Sequence, residues 1–432
     1  MRNTAVAILT SVACFVAGLF VSGCSGRTSS RDGRPSMERD SIYRVTLEGE
    51  SCPFASKAEY GVFVPGSAKR IRGVLVLQHG CTMEQFGITR PYDLQYQEFA
   101  RKWDLAVLET ALYGDCFLWR DPQSGTAEAL FSVLSLVASK SGHPELEGAP
   151  FLLFGHSGGG YWTLGMLRDY PERIIALVAY SAAFDPQWDY PAEAAEVPVL
   201  LRHAGPEDAP FAACEATARN TFARLRLMDA PACIAFTEGQ NHNFSYLRYM
   251  AIPFYESAMK QRLPKGKSMV LRSLDPKKTW LGDPGTLELS KESRFEGDAV
   301  GLCRFADKAT AQNWKEYVTT GTLSDKTPPS APFGLKVEKT DTSLILTWYA
   351  RVDVESGIAR FNIFKNNTLV GTVPAEGPYQ TFDTNGDNTY PLHPAELRFV
   401  IQGTDARSVG VEAVNRFGSV SKRAICKELP SS

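Results

Sequence analysis

The chain has 432 residues, too many for one ordinary domain, so two or more are expected. Hydrophobic residues make up 44% and charged residues 22%, a balance that excludes a disordered or fibrous chain. The formal net charge of −2 leaves no basic footprint of the kind nucleic acid requires.

The N-terminus reads as a targeting segment. Arg2 precedes an apolar stretch over residues 5–20, which ends at VSGC. The stretch is short for a transmembrane helix. LFVSGC resembles a bacterial lipobox. That resemblance implies removal of the segment, lipidation of Cys24 as the membrane anchor and an exported lipoprotein of the cell envelope, with Ser25 favouring the outer membrane, on its periplasmic or cell-surface side. An ordinary secretory peptide cut nearby is the alternative. Residues 1–24 are thus read as signal, and the polar residues 25–41 as a flexible tether. Without Cys14 and Cys24 seven cysteines remain, and in an exported chain they are expected to pair and leave one over. None has zinc spacing, so neither metal nor cofactor is expected.

Over residues 42–263 short apolar runs alternate with helical patterns. The runs are GVLVLQ (73–78), LAVLET (105–110), PFLLF (150–154), IIALVAY (174–180), VPVLL (197–201) and ACIAF (232–236). Several are apolar throughout, which suits strands buried on both faces of a parallel sheet. Between them YDLQYQEFARKW, TAEALFSVLSLVASK, GGYWTLGMLRDY and FAACEATARNTFARLRLM read as helices. The alternation predicts an open α/β sheet with its ligand-binding loops at the carboxyl ends of the strands.

Residues 264–325 show little periodicity beyond one amphipathic helix, KATAQNWKEYVTT, and are read as an extension packed on the catalytic domain. The prolines of SDKTPPSAP mark a boundary. Residues 326–428 carry only strand signals at sandwich spacing. With PPSAPFGLKV, Trp348 and VGVEAVNRFGSVS, this part resembles a fibronectin type III domain, although Val409 stands where that family usually has a tyrosine. DTNGDN (383–388) is read as a solvated turn rather than a calcium loop.

The chemistry centres on FGHSGGG. It joins the strand PFLLF to a helix, and this places Ser157 on a tight strand-to-helix turn, the context of a nucleophile elbow. A serine hydroxyl needs a base, and the base needs a carboxylate to orient it. In this fold class they follow in the order serine, acid, histidine. His242, in GQNHNF after the last strand, is the candidate base; His203 competes but lies where the acid should be. Asp208 is the candidate acid with Glu207 the fallback, and Asp185 is a third option. His156 is expected to point away as part of the turn. The oxyanion donors are expected from the N–H of Gly158 and of Cys81, or of Thr82 beside it. Tyr113, Trp119 and Trp162, with Tyr161 and Trp188, lie near the same edge as candidate substrate-lining residues.

Taken together, HGCT, DCFLWRD, GHSGG, GPED and GQNHNF resemble the α/β-hydrolase superfamily over about residues 60–262. Within it, the pairing of HGCT with DC-aromatic resembles the secreted polyhydroxybutyrate depolymerases, feruloyl esterases and acetylxylan esterases. The resemblance implies a Cys81–Cys116 disulfide beside the oxyanion loop. It also implies ester substrates, polymeric ones included: polysaccharide-linked acyl groups or a polyester. The elbow GHSGG departs from the GLSAG-like turns usual in those enzymes, and no polymer-binding domain is evident. A serine peptidase of the same fold and a non-catalytic surface adhesion protein are the competing expectations.

Overall fold

The structure, a computed structural model, describes residues 40–82, 84–182, 184–205, 211–242, 245–377, 379, 396–427 and 429. Eight strands form the main sheet: β1 (Ser41–Glu48), β2 (Lys57–Val64), β3 (Gly73–Gln78), β4 (Leu105–Tyr113), β5 (Phe151–His156), β6 (Ile174–Tyr180), β7 (Val199–His203) and β8 (Ala232–Phe236). Their order is β1-β2-β4-β3-β5-β6-β7-β8; β1 and β2 are antiparallel and the rest parallel. Six helices accompany it: α1 (Leu94–Trp103), α2 (Cys116–Trp119), α3 (Thr126–Ser141), α4 (Gly158–Asp169), α5 (Ala213–Leu227) and α6 (Leu247–Arg262). α1 packs on β4, α4 on β5 and β6, α5 on β7 and β8, and α6 on β6. This is the α/β-hydrolase fold. Every residue of β3, β5 and β6 is buried, which is why their sequences are apolar without alternation.

The extension caps an edge. β9 (Trp280–Gly282), β10 (Leu289–Lys291) and β11 (Cys303–Phe305) form a small antiparallel sheet, followed by α7 (Lys308–Thr320). β8 is the last strand of the main sheet, so Ile234 has an outward N–H and C=O that no further strand can pair. The N–H meets Cys303 Sγ at 3.3 Å, and the carbonyl accepts the Trp314 indole N–H at 2.8 Å. Side chains thus do what a ninth strand would have done.

The C-terminal part is a sandwich of two antiparallel sheets. β12 (Phe333–Lys339), β13 (Ser343–Tyr349), β14 (Arg360–Lys365), β15 (Thr368–Val373), β16 (Arg398–Gln402), β17 (Val409–Val414) and β18 (Ala424–Cys426) divide into β12-β13-β16 and β15-β14-β17-β18. Leu344, Leu346, Trp348, Phe361, Ile363 and Val411 fill the space between the sheets. Polar contacts join the sandwich to the rest: Gln95 Nε2 donates to the Val354 carbonyl at 3.0 Å, and Asn415 Nδ2 to Asp325 Oδ2 at 3.2 Å. The Arg416 guanidinium lies 3.7 Å from the centroid of the Tyr246 ring.

Cys81 and Cys116 are joined, with their Cα atoms 5.3 Å apart. The further pairing expected among the cysteines is not found among the described residues: Cys81–Cys116 is the disulfide seen there, and Cys52, Cys233 and Cys303 are free. They lie on separate elements, and the Cys303 sulfur is already engaged with the Ile234 backbone. Cys24 and residues 383–388 lie outside the described residues.

Candidate active site

Ser157 stands between the end of β5 and the start of α4 with φ 52° and ψ −113°, a left-handed conformation costly for any residue but glycine. Two backbone bonds hold it. Its N–H donates to the Tyr180 carbonyl at 2.8 Å, and its carbonyl accepts from Tyr161 N–H at 3.1 Å. The neighbouring glycines are required by close approach. A Cβ on Gly159 would lie 2.5 Å from the carbonyl oxygens of Gln78 and His79, and one on Gly155 would lie 2.0 Å from the Gly159 carbonyl oxygen. α4 therefore starts jammed against the end of β3. Its first N–H groups, Gly158 among them, have no partner within the helix and carry its positive dipole end.

The loop after β3 reaches the same point. A Cβ on Gly158 would lie 3.5 Å from the Cys81 backbone nitrogen and 2.6 Å from its sulfur. Thr82, the second option, is exposed and has φ 65°. His79 fixes this loop, a role that sequence reasoning missed. Leu112 N–H donates to His79 Nε2 at 2.8 Å, so the proton is on Nδ1, which donates to the Gly80 carbonyl at 2.6 Å. Burial, and secondarily the Arg90 charge, pushes its pKa down to about 4, so the ring stays neutral and keeps this tautomer. The Gly80–Cys81 peptide is planar and trans, so holding the carbonyl on one side aims the Cys81 N–H to the other.

His242 sits in the loop after β8. Its ring is buried and stacks on Phe211 with centroids 3.8 Å apart, and Nδ1 lies 3.7 Å from Cys214 Sγ. Burial first, then the nearby Arg202 charge, lowers its pKa to about 4. The loop is anchored from beneath by Arg202, which is fully buried. Its guanidinium donates to the Asn241 carbonyl at 2.9 Å, to Ser181 Oγ at 3.1 Å and to Thr237 Oγ1 at 2.7 Å. This anchor was not foreseen, because an arginine inside an apolar strand gives no hint of the oxygens it will meet. His156 does not point away as expected. Its Nε2 donates to the His242 carbonyl at 2.9 Å, and the two rings lie 4.9 Å apart, which ties the neighbour of Ser157 to the loop that carries His242.

Asp208 and Glu207 lie outside the described residues. Asp185 is committed elsewhere: it pairs with Arg224 and accepts from Asn220 Nδ2 at 2.9 Å. His203 packs on Phe236, with centroids 5.3 Å apart, in a pocket with Arg219 and Trp314. Among the described residues no group of three or more His, Cys, Asp or Glu gathers as a metal site.

The substrate-lining expectations need correction. Trp162 belongs to the core, with its indole N–H donated to Thr126 Oγ1 at 2.9 Å. Trp119 is fully buried; its ring packs against His79 and ends 3.4 Å from where a Gly158 Cβ would be, so it backs the elbow from inside. Tyr113 is taken up by its strand partners, its hydroxyl donating to Glu59 Oε2 at 3.1 Å and its ring lying 4.0 Å from Lys57 Nζ. Periodicity and position put all three near the right edge, but burial and cross-strand pairing decided where they face.

No family model matches the chain, and no curated protein does. Solved structures resemble it. Poly(aspartic acid) hydrolase-1 from Sphingomonas sp. KT-1 is 15% identical, over 44% of this chain and 89% of that one, with a TM-score of 0.33. An S-formylglutathione hydrolase from Agrobacterium tumefaciens is 15% identical over 51% and 94%, with a TM-score of 0.33. Methylesterase BT1017 is 16% identical over 57% and 58%, with a TM-score of 0.36.

Proposed function

We propose that the protein is a serine carboxylic ester hydrolase that works through an acyl-enzyme. His242 takes the proton from Ser157 Oγ as that oxygen attacks the ester carbonyl. The N–H groups of Gly158 and Cys81 receive the oxyanion, each such donor being worth about 3 kcal/mol of barrier. His242 then protonates the departing alcohol, and a water deprotonated by His242 releases the acid. Asp208, with Glu207 as fallback, orients the imidazole. The observation that carries this reading is the left-handed Ser157 between β5 and α4, with the Cys81 nitrogen against Gly158. A neutral imidazole in a loop anchored to His156 supports it.

The wider reading is a lipoprotein held at the cell envelope through Cys24, acting on polysaccharide-linked acyl groups or a polyester. The fibronectin type III-like sandwich would serve as its outward module. Purified protein and Ser157→Ala are to be compared on p-nitrophenyl acetate and on peptide anilides. Ester turnover lost in the variant is expected. Equal turnover in both proteins overturns the mechanism, and turnover of anilides alone favours a peptidase. Acetylated and feruloylated polysaccharides and polyhydroxybutyrate, assayed next, separate the substrate classes.

A further inference from the structure

Beside the elbow, three segments far apart in sequence gather around one cation. The guanidinium carbon of Arg120, the residue after α2, lies 4.0 Å from the centroid of the Phe117 ring, 4.2 Å from that of Phe184 and 4.7 Å from that of Tyr161. The Phe117 and Phe184 rings are 5.3 Å apart and are 57% and 45% exposed. Tyr161 lies one turn along α4 from Ser157, whose carbonyl it bonds, so the cage begins about 6 Å along the helix axis from Ser157. The disulfide ties α2, the other wall, to Cys81.

Stacking alone would explain an arginine lying across rings with its donors in water. Arg120 differs, because its Nη1 is buried and has no hydrogen-bond partner among the described residues. The carboxylates nearby are used otherwise. Asp121 accepts from Arg168 Nη2 at 2.8 Å, and Asp115 caps α2 by accepting from Phe117 N–H at 2.9 Å. Burial disfavours the charged guanidinium enough to lower its pKa. A cation covered on one side by aromatic rings, with apolar surface open beside it, matches a site built for a carboxylate on an apolar spacer.

We propose that Arg120, with Phe117 and Phe184, is an anion subsite that selects ester substrates bearing a free carboxylate about one helical turn from the ester carbonyl. This rests on the ester hydrolase reading. In it Arg120 determines specificity and touches the substrate's carboxylate, while Phe117 and Phe184 carry the spacer.

The test is the ratio of kcat/KM for the p-nitrophenyl monoester of glutaric acid to that for its methyl-capped neutral counterpart, with the rate in Ser157→Ala subtracted. Wild-type protein is expected to favour the anion at least tenfold. Arg120→Met should lower the ratio at least tenfold, and Arg120→Lys should fall between, since it keeps charge but not the planar fork. Added salt should erode the wild-type ratio. A ratio that neither Arg120→Met nor salt moves overturns the proposal; should Arg120→Met fail to fold, the lysine variant and the salt series decide. If neither ester is turned over, the ester hydrolase reading fails. Titration of tryptophan fluorescence with monomethyl glutarate then judges the subsite alone: saturable binding weakened in the arginine variants supports it, and no binding to wild type overturns it.

Discussion

His79 makes two hydrogen bonds with different consequences, and side chains of different length separate them. Asparagine at 79 places an amide near the position of Nδ1, so it can still donate to the Gly80 carbonyl; glutamine reaches the position of Nε2 and can still accept from Leu112 N–H. Phenylalanine keeps the contact with Trp119, whose ring centroid is 4.8 Å away, and makes neither bond. Leaving Leu112 N–H buried and unanswered costs about 1–3 kcal/mol of stability. Freeing the Gly80–Cys81 peptide costs up to the full value of one oxyanion donor, about 3 kcal/mol or a hundredfold and more in kcat. His79→Asn should therefore lose stability and keep most of its kcat. His79→Gln should do the reverse, and His79→Phe should lose both, with KM little changed throughout because the donor acts on the transition state. Thermal unfolding and steady-state kinetics on p-nitrophenyl acetate read the two quantities separately. If Asn and Gln variants behave alike, or if Phe retains the wild-type kcat, the peptide-lock argument is wrong.

Two further expectations concern pH. His242 has its pKa lowered to about 4, so it is a competent base above that value, and kcat/KM should fall tenfold per unit only as pH drops below about 4; a rate profile whose acid limb has its midpoint near 6.5 contradicts this environment. Asp353, between the sandwich and the linker, has its carboxyl pushed up to about 8 by burial and then by the Glu355 and Asp325 carboxylates. The folded state thus holds a proton that the unfolded chain releases near pH 4, so stability should decline as pH rises above that point. Asp353→Asn should flatten that slope and be the more stable protein at pH 8, as read by urea unfolding from pH 5 to 9. A wild-type slope of zero there would sink the assignment.

The central strands were readable because a strand buried on both faces needs nothing but apolar residues: residues 73–78, 174–180 and 232–236 match their predicted limits. β1 and β2 were not singled out, because β1 is mostly half-buried at the edge of the sheet. The three-residue strands of the extension are too short to show a period, and their purpose, answering the Ile234 backbone, belongs to β8 and not to themselves. At the site, the placement of Ser157 on the strand-to-helix turn was legible from its glycines, and that of His242 in the loop after the last strand from the order of the apolar runs. His79, Arg202 and Arg120 were not, since each acts through groups tens of residues away that only the folded chain brings near. Trp162 shows the opposite failure: proximity in sequence to the elbow put it on the right helix but on the inward face.

The contact of Arg416 with Tyr246 has a mechanical meaning. Tyr246 lies four residues beyond His242, and Gln240, two residues before it, donates to the Gly321 carbonyl at 2.6 Å in the linker that leads to the sandwich. The His242 loop is thus gripped from both sides by parts outside the eight-stranded sheet. A pull on the sandwich would be transmitted as strain to the segment that carries the imidazole, as a load on a handle reaches the hinge. Cutting the chain near residue 326 would also remove a wall of that loop, so the β-sandwich is a brace for the His242 segment as much as an appendage.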